Sequence, residues 1–239
     1  MLKVLCFDLD GTLLPMDTES FIGHYMKELA PYMAKILPED KLIPLIWDAT
    51  KTMIDDQDDS RTNEEVFTER FLSRSGLKKE EIWPRFDKFY RDHFPTLKKY
   101  VQPSPKSRQV VQTALDCGYR VAVATNPVFP KEAIRERMRW AQVEDLVEWV
   151  SVYEETHFCK PHPGYYREVA AAMGVSPEQC AMIGNDVQED LVAGTIGMKT
   201  YLVTDCRIDR GEPAHQPDQE GTLEELLADI QKRKGIFAF

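Results

Sequence analysis

The apolar positions along the chain fall into two textures. Over residues 2–9 they come almost unbroken, with Val4, Leu5, Phe7 and Leu9, which is the pattern of a strand buried on both faces of a parallel sheet. Asp10-Gly11-Thr12 ends that run sharply. Between about residues 16 and 99 the spacing becomes helical. One run carries Phe21, Tyr25, Leu29, Tyr32, Met33 and Ile36, and a second carries Leu42, Leu45, Ile46, Ala49 and Met53. Thr62-Asn63 marks a third helix start, ahead of Val66, Phe67, Phe71 and Leu72, with Gly76 as its stop. A fourth run holds Ile82, Trp83, Phe86, Phe89 and Tyr90. The acidic cluster at 55–59 reads as solvated loop. The whole stretch reads as a bundle of about four helices, in which Pro31, Pro44 and Pro84 kink or end elements.

Beyond Pro103 and Pro105 strands and helices alternate. Val110, Val111, Ala114 and Leu115 give one helix face, with Gly118 at its C-cap. Residues 119–124, 180–183 and 199–203 read as strands and 149–153 as a short one. Residues 131–140, 165–173 and a stretch from 189 read as helices. Thr222 and Glu225 have capping-box spacing before a last helix with Leu226, Leu227 and Ile230. The polar run 205–221 is expected to be a long surface loop. Such alternation implies a parallel sheet covered on both faces.

Composition narrows the picture. A chain of 239 residues that is 43% hydrophobic has enough material for a full core and is not a disordered chain. Thirty basic against forty acidic residues give a net charge of -10, which argues against nucleic acid or an anionic membrane as a partner. The balance still permits a small basic pocket. Cys6, Cys117, Cys159, Cys180 and Cys206 are odd in number and form no CxxC pair, so reduced thiols in the cytoplasm are expected rather than zinc or a disulfide framework. The opening residues do not read as a signal peptide, and with no apolar run of about 18 residues no transmembrane helix is expected.

In an open parallel sheet, ligands bind beyond the carboxyl ends of the strands. Four predicted strand ends carry chemistry. After the first strand, Asp8 and Asp10 lie two apart and repel unless a cation separates them or one is protonated, while Gly11 leaves an amide open to an anion. This pair reads as a nucleophilic carboxylate beside an acid–base carboxylate; an ordinary Asp-Gly turn is the competing reading. Thr125-Asn126 follows the second strand, with a hydroxyl and amide suited to phosphoryl oxygens, although both are also common turn formers. Lys160 sits in Lys160-Pro161-His162-Pro163, either as a point charge for phosphate or as an exposed loop lysine. His162 reads as a loop residue. After the fourth strand come Gly184-Asn185-Asp186 and then Asp190, four residues beyond Asp186. If a helix starts near Val187, both carboxylates point back to the strand end, in a set that suits Mg²⁺. An acidic helix N-terminus is the competing reading and is the one preferred for Glu189; Asn185 fits either.

Taken in order, the four motifs closely resemble the haloacid dehalogenase superfamily of hydrolases. Phe7-Asp8-Leu9-Asp10-Gly11-Thr12-Leu13 matches its first motif, Thr125-Asn126 its second, Lys160-Pro161 with Pro163 its third, and Gly184-Asn185-Asp186 through Asp190 its fourth. The common fourth motif begins Gly-Asp, so the ligand is Asp186 with Asn185 assisting, or the frame shifts by one. The resemblance spans residues 1 to about 204 and is nearest the phosphoglycolate phosphatase and β-phosphoglucomutase type. It implies an α/β fold, a Rossmann-like three-layer α/β/α core with a parallel sheet (1–15 and 100–239), and an inserted α-helical cap (16–99). It also implies a Mg²⁺-dependent phosphatase acting on a small phosphorylated metabolite through an aspartyl-phosphate. Asp8 would be the nucleophile and Asp10 the acid–base. Gly11, Thr125, Asn126 and Lys160 would bind phosphate. Asp8, Asp186 and the backbone carbonyl of Asp10 would hold the metal, with Asn185 and Asp190 in support. Asp10 speaks for phosphate chemistry over dehalogenation, since halide-displacing members lack it. A sugar phosphomutase, a 2-haloacid dehalogenase and a non-catalytic binding protein are the alternatives. Asp17, Thr18 and Glu19 near the hinge read as helix capping.

Overall fold

The apolar run near the start forms strand β1 (Val4–Phe7), and all four of its side chains are buried. The other strands are β2 (Arg120–Val123), β3 (Trp149–Val150), β4 (Cys180–Gly184), β5 (Lys199–Val203) and β6 (Gln219–Gly221). In the computed structural model, which describes residues 1–238, they form one all-parallel sheet in the order β3-β2-β1-β4-β5-β6. β1 is central: Cys6 pairs with Ala122 on one side and with Met182 on the other.

Side chains alternate along a strand, so each strand feeds two cores. Leu5, Phe7, Val121, Val123, Ala181 and Ile183 go to one face. There they meet helices α5 (Pro105–Asp116), α6 (Lys131–Trp140) and α8 (Leu223–Lys232). Val4, Cys6, Ala122, Ala124, Cys180 and Met182 go to the other, against α7 (Pro163–Ala172). Burial on both faces explains why the strands read as apolar runs instead of alternating.

Four helices stand between β1 and α5: α1 (Thr18–Met33), α2 (Glu39–Asp55), α3 (Asn63–Ser75) and α4 (Lys79–Asp92). Thr62 and Glu65 close a capping box at the start of α3, and Gly76 caps its end. Asp17 caps α1 by accepting from the Ser20 amide at 2.7 Å, in keeping with the capping reading of the hinge. Aromatic packing and hydrogen bonds join this bundle to the core. Phe94, in the 3-10 turn that follows α4, stacks on Trp140 with centroids 5.6 Å apart. The start of α3 is stitched to the loop 153–158: the Asn63 and Glu64 amides donate to Thr156 O and Tyr153 O, both at 2.8 Å. Asn63 Nδ2 also reaches Thr156 Oγ1 and Phe158 O at 3.0 and 3.2 Å.

Pro31, Pro44 and Pro84 lie inside α1, α2 and α4 and end none of them. The first strand and the one at 149 are shorter than their apolar runs; past Val150 the chain leaves the sheet, and Ser151 Oγ turns to bond Thr125 O at 2.6 Å. No α-helix starts at 187 or 189. Residues 186–190 form a turn, and Leu191–Ile196 is a tight 3-10 segment containing Gly194 and followed by Gly197. The loop 205–221 contributes β6, an edge strand paired on one side; its half-exposed Gln-Glu-Gly sequence carries no apolar period to announce it. All five cysteines are free.

Candidate active site

β1, β2 and β4 end side by side, which gathers residues from the two ends of the chain. The Asp8 amide donates to Ile183 O at 2.8 Å, tying the residue after β1 to β4. The chain then doubles back, with the Gly11 amide donating to Leu14 O and the Leu14 amide to Leu9 O. Gly11 holds φ +85, and a Cβ there would run into the Asn185 amide, so this turn needs glycine on both counts. The Thr12 hydroxyl lies 2.9 Å from Asn185 Oδ1 and 3.3 Å from Asp8 Oδ2. Asn185 is held from behind by its Nδ2 donating to Cys206 O at 2.7 Å.

At the centre is Lys160, 1% exposed. Its ammonium donates to Asp8 Oδ1 at 2.9 Å and Asp190 Oδ1 at 2.6 Å. Burial works against that charge, yet the Asp190 and Asp8 carboxylates outweigh it and hold the lysine well above its ordinary pKa. The acids respond in kind. Burial raises Asp8 against the pull of Lys160, and raises Asp190 to about 6. Asp190 Oδ2 accepts from the Asp186 amide at 2.9 Å. Gly184 makes room for this carboxyl, because any Cβ at 184 would overlap it.

The phosphate-binding candidates flank the triad. Asn126 Oδ1 accepts from the Lys160 amide at 3.2 Å, and its Nδ2 donates to Glu189 Oε2 at 3.2 Å. The Thr125 carbonyl is taken by Ser151 Oγ and by Tyr165 OH, at 2.6 and 2.7 Å. These bonds pin the backbone at Thr125.

Two carboxylates are paired with arginines. Asp186 accepts the Gln188 and Glu189 amides through Oδ1, and Arg210 Nη1 lies 2.8 and 2.7 Å from its two oxygens. Asp10 pairs with Arg137 of α6. Burial raises the pKa of Asp10 and Arg137 opposes the rise.

The structure therefore brings Asp8, Lys160, Asp190, Asn126 and Asn185 into one bonded cluster and sends Asp186 and Asp10 to arginines. Because residues 186–190 form a turn, Asp186 and Asp190 do not share a helix face; the Asp190 carboxyl instead folds back onto the backbone of 186. Glu189, read as an ordinary acidic helix start, is drawn into the site beside Asn126, where burial and then Asp186 push it up to about 7. His162 caps α7 by accepting from the Gly164 amide at 3.1 Å. The sequence reading quoted Thr12 within the first motif but gave it no role, and it passed over Arg137 and Arg210. Arg210 carries no local signal. Arg137 does, since it continues the buried stripe of Ala133, Ile134 and Met138 at helical spacing.

Where the helices meet the core, Tyr25, Trp47, Trp83, Tyr90, Phe129 and Tyr153 help to line a cavity of about 280 Å³. Among the described residues no helix is long and apolar enough to cross a membrane.

A family model described as haloacid dehalogenase-like hydrolase matches residues 2–195. The pyrophosphatase PpaX of Bacillus cereus is 22% identical over 237 residues, spanning 97% of this chain and 99% of that protein. The phosphoserine phosphatase of Thermus thermophilus is 26% identical over 165 residues, 69% of this chain and 63% of that one. Among solved structures, a HAD phosphatase from Thermococcus onnurineus superposes with TM-score 0.61 at 21% identity, covering 96% of this chain and 98% of that one. The L-2-haloacid dehalogenase of Xanthobacter autotrophicus superposes with TM-score 0.60 at 16% identity, over 98% of this chain and all of the other.

Proposed function

This chain belongs to the haloacid dehalogenase-like hydrolases, and from that premise we propose that it is a Mg²⁺-dependent phosphatase that hydrolyses a small phosphomonoester through an aspartyl-phosphate on Asp8. The observation that carries the reading is the buried Lys160 ammonium bridging Asp8 and Asp190, with a second carboxylate, Asp10, two residues from the first. Asp8 would attack phosphorus in line. Asp10 would give a proton to the departing oxygen and later take one from the water that cleaves the acyl phosphate. Lys160, Thr125, and the amides around Gly11 and Asn126 would hold the phosphoryl oxygens, with Asp190 keeping Lys160 in line.

The donor set fits a hard cation. Among the described residues no three His, Cys, Asp or Glu side chains converge as a metal group. Magnesium does not need three, since it takes one or two carboxylates together with carbonyls and water. Asp8, Asp186 and the Asp10 carbonyl would hold it, with Asn185 adjacent and Arg210 giving up Asp186 to the ion. Bound there, the ion would neutralise phosphate charge and orient the nucleophile.

Residues 16–99 would act as a lid over the site. The named relatives act on differing phosphorylated compounds, so the substrate is to be found by screening. A phosphate-release screen across a metabolite panel, with Mg²⁺ and with EDTA, tests the reading. Mg²⁺-dependent release from at least one ester is the expected result. Halide release from a 2-haloacid with no phosphate release from any ester would replace it with dehalogenation, against which Asp10 stands.

A further inference from the structure

The chemistry proposed above makes no use of Arg137, yet few side chains in the molecule are more deeply set. Of the buried residues of α6, Ala133, Ile134, Met138 and Trp140 are apolar, and the fifth is Arg137 at 1% exposure. A guanidinium is placed in such surroundings at a cost unless it is paired. Its Nε donates to Ala133 O at 3.3 Å, its plane lies 4.4 Å over the Phe129 ring, and Nη1 bonds Asp10 Oδ2. Helix, ring and carboxylate thus fix it from three directions. Among the described residues, this is the one hydrogen bond made by the Asp10 side chain. Asp10 Oδ1 and Arg137 Nη2 are both buried without a partner.

We propose that Arg137 is the positioning residue for the acid–base carboxylate. It grips Oδ2 of Asp10 and leaves Oδ1, the oxygen without a partner, as the one that would meet the ester oxygen when substrate enters. This assignment rests on the phosphatase reading. In the first step the Asp8–phosphorus bond forms, the ester P–O bond breaks, and a proton passes from Asp10 Oδ1 to the departing oxygen. In the second step water attacks phosphorus, its proton returns to Oδ1, and Asp8 is released with inorganic phosphate. Both proton transfers use one oxygen of a carboxylate whose other oxygen is held. A carboxylate free to rotate would be drawn toward Lys160 instead.

The test exploits the leaving group. An alkyl ester needs its departing oxygen protonated, whereas para-nitrophenolate leaves with little help. Arg137→Met is measured on the best alkyl ester from the screen and on para-nitrophenyl phosphate, beside Asp10→Asn, the double variant and Arg137→Lys. For Arg137→Met, kcat/KM, which reports the step that expels the leaving group, should fall about 100-fold or more on the alkyl ester and less than about fivefold on the aryl ester. The double variant should be no slower than Asp10→Asn, and Arg137→Lys should recover part of the loss. Equal losses of kcat/KM on the two esters would mean a structural role only and overturn the proposal. So would an unchanged or raised kcat/KM on the alkyl ester, the latter meaning that the pair restrains Asp10. If Arg137→Met does not fold, Arg137→Lys and Arg137→Gln are read by the same split. A wild type that turns over neither ester overturns the phosphatase reading itself, and this assignment with it.

Discussion

Lys160 shows how much one buried cation can organise. It holds two acids that would otherwise repel, and each of the three depends on the others remaining. Replacing Asp8 by Asn should abolish phosphate release, with no burst of acyl phosphate and with a circular dichroism spectrum like the wild type; unaltered turnover would exclude Asp8 as nucleophile. A second residue-scale effect lies away from the site. The Glu154 carboxylate accepts the Lys131 amide at the start of α6, and burial raises its pKa to about 7. A carboxyl that is harder to ionise folded than unfolded holds its proton more tightly in the native state. Its contribution is therefore fully present below about pH 4 and is lost as pH rises through about 7. Glu154→Gln cannot lose it. Relative to wild type, the variant should gain roughly 2 kcal/mol between pH 5 and pH 8, read as a shift in urea midpoint. The chemical residues at the ends of β1, β2 and β4 were legible because each follows an apolar run directly. Arg210 was not, because it reaches Asp186 from a polar loop with no periodicity.

Elements were legible where one physical rule dominated. The helices of the insertion show apolar spacing over many residues, and α3 and α8 carry capping boxes besides. The turn at 186–190 was misread as a helix start because Asp-rich sequence is equally at home in both. What decides is tertiary: Asp190 must turn back to Lys160, and Gly184 gives it the space. Gly184→Ala should therefore displace Asp190, lower kcat more than tenfold and cost about 1–3 kcal/mol of stability from overpacking. Wild-type kinetics would mean that the Asp190 contact is dispensable. Removing the α3 cap with Thr62→Ala should cost about 1 kcal/mol in urea melts without changing kcat. β6 stayed hidden because its strand character comes from pairing with β5 and not from its own side chains.

On the scale of the whole molecule, the sequence already implied a parallel sheet interrupted by helices. The sheet order and the stitching of helices to core were not legible, because they depend on contacts between residues far apart in the chain. The Asn63 contacts to Thr156 and Phe158 are of this kind, and they join the insertion to the segment that leads into Lys160. Asn63→Ala should leave Phe158 O and Thr156 short of partners, cost about 1–3 kcal/mol, and speed amide exchange across residues 153–158 as well as in α3. Faster exchange in α3 alone would mean that the two units move independently.

The central place of β1 has a further consequence during synthesis. The strand that leads into Asp8 leaves the ribosome before the rest of the sheet, yet its nearest partner begins at Arg120 and the other at Cys180. At roughly 5–20 residues per second, β1 waits about ten seconds before it can pair at all. The helices made in that interval contact mainly their own neighbours in sequence and can fold while they wait. The insertion is thus the part of the nascent chain able to take shape early, and β1, at the middle of the finished sheet, is among the last to be enclosed.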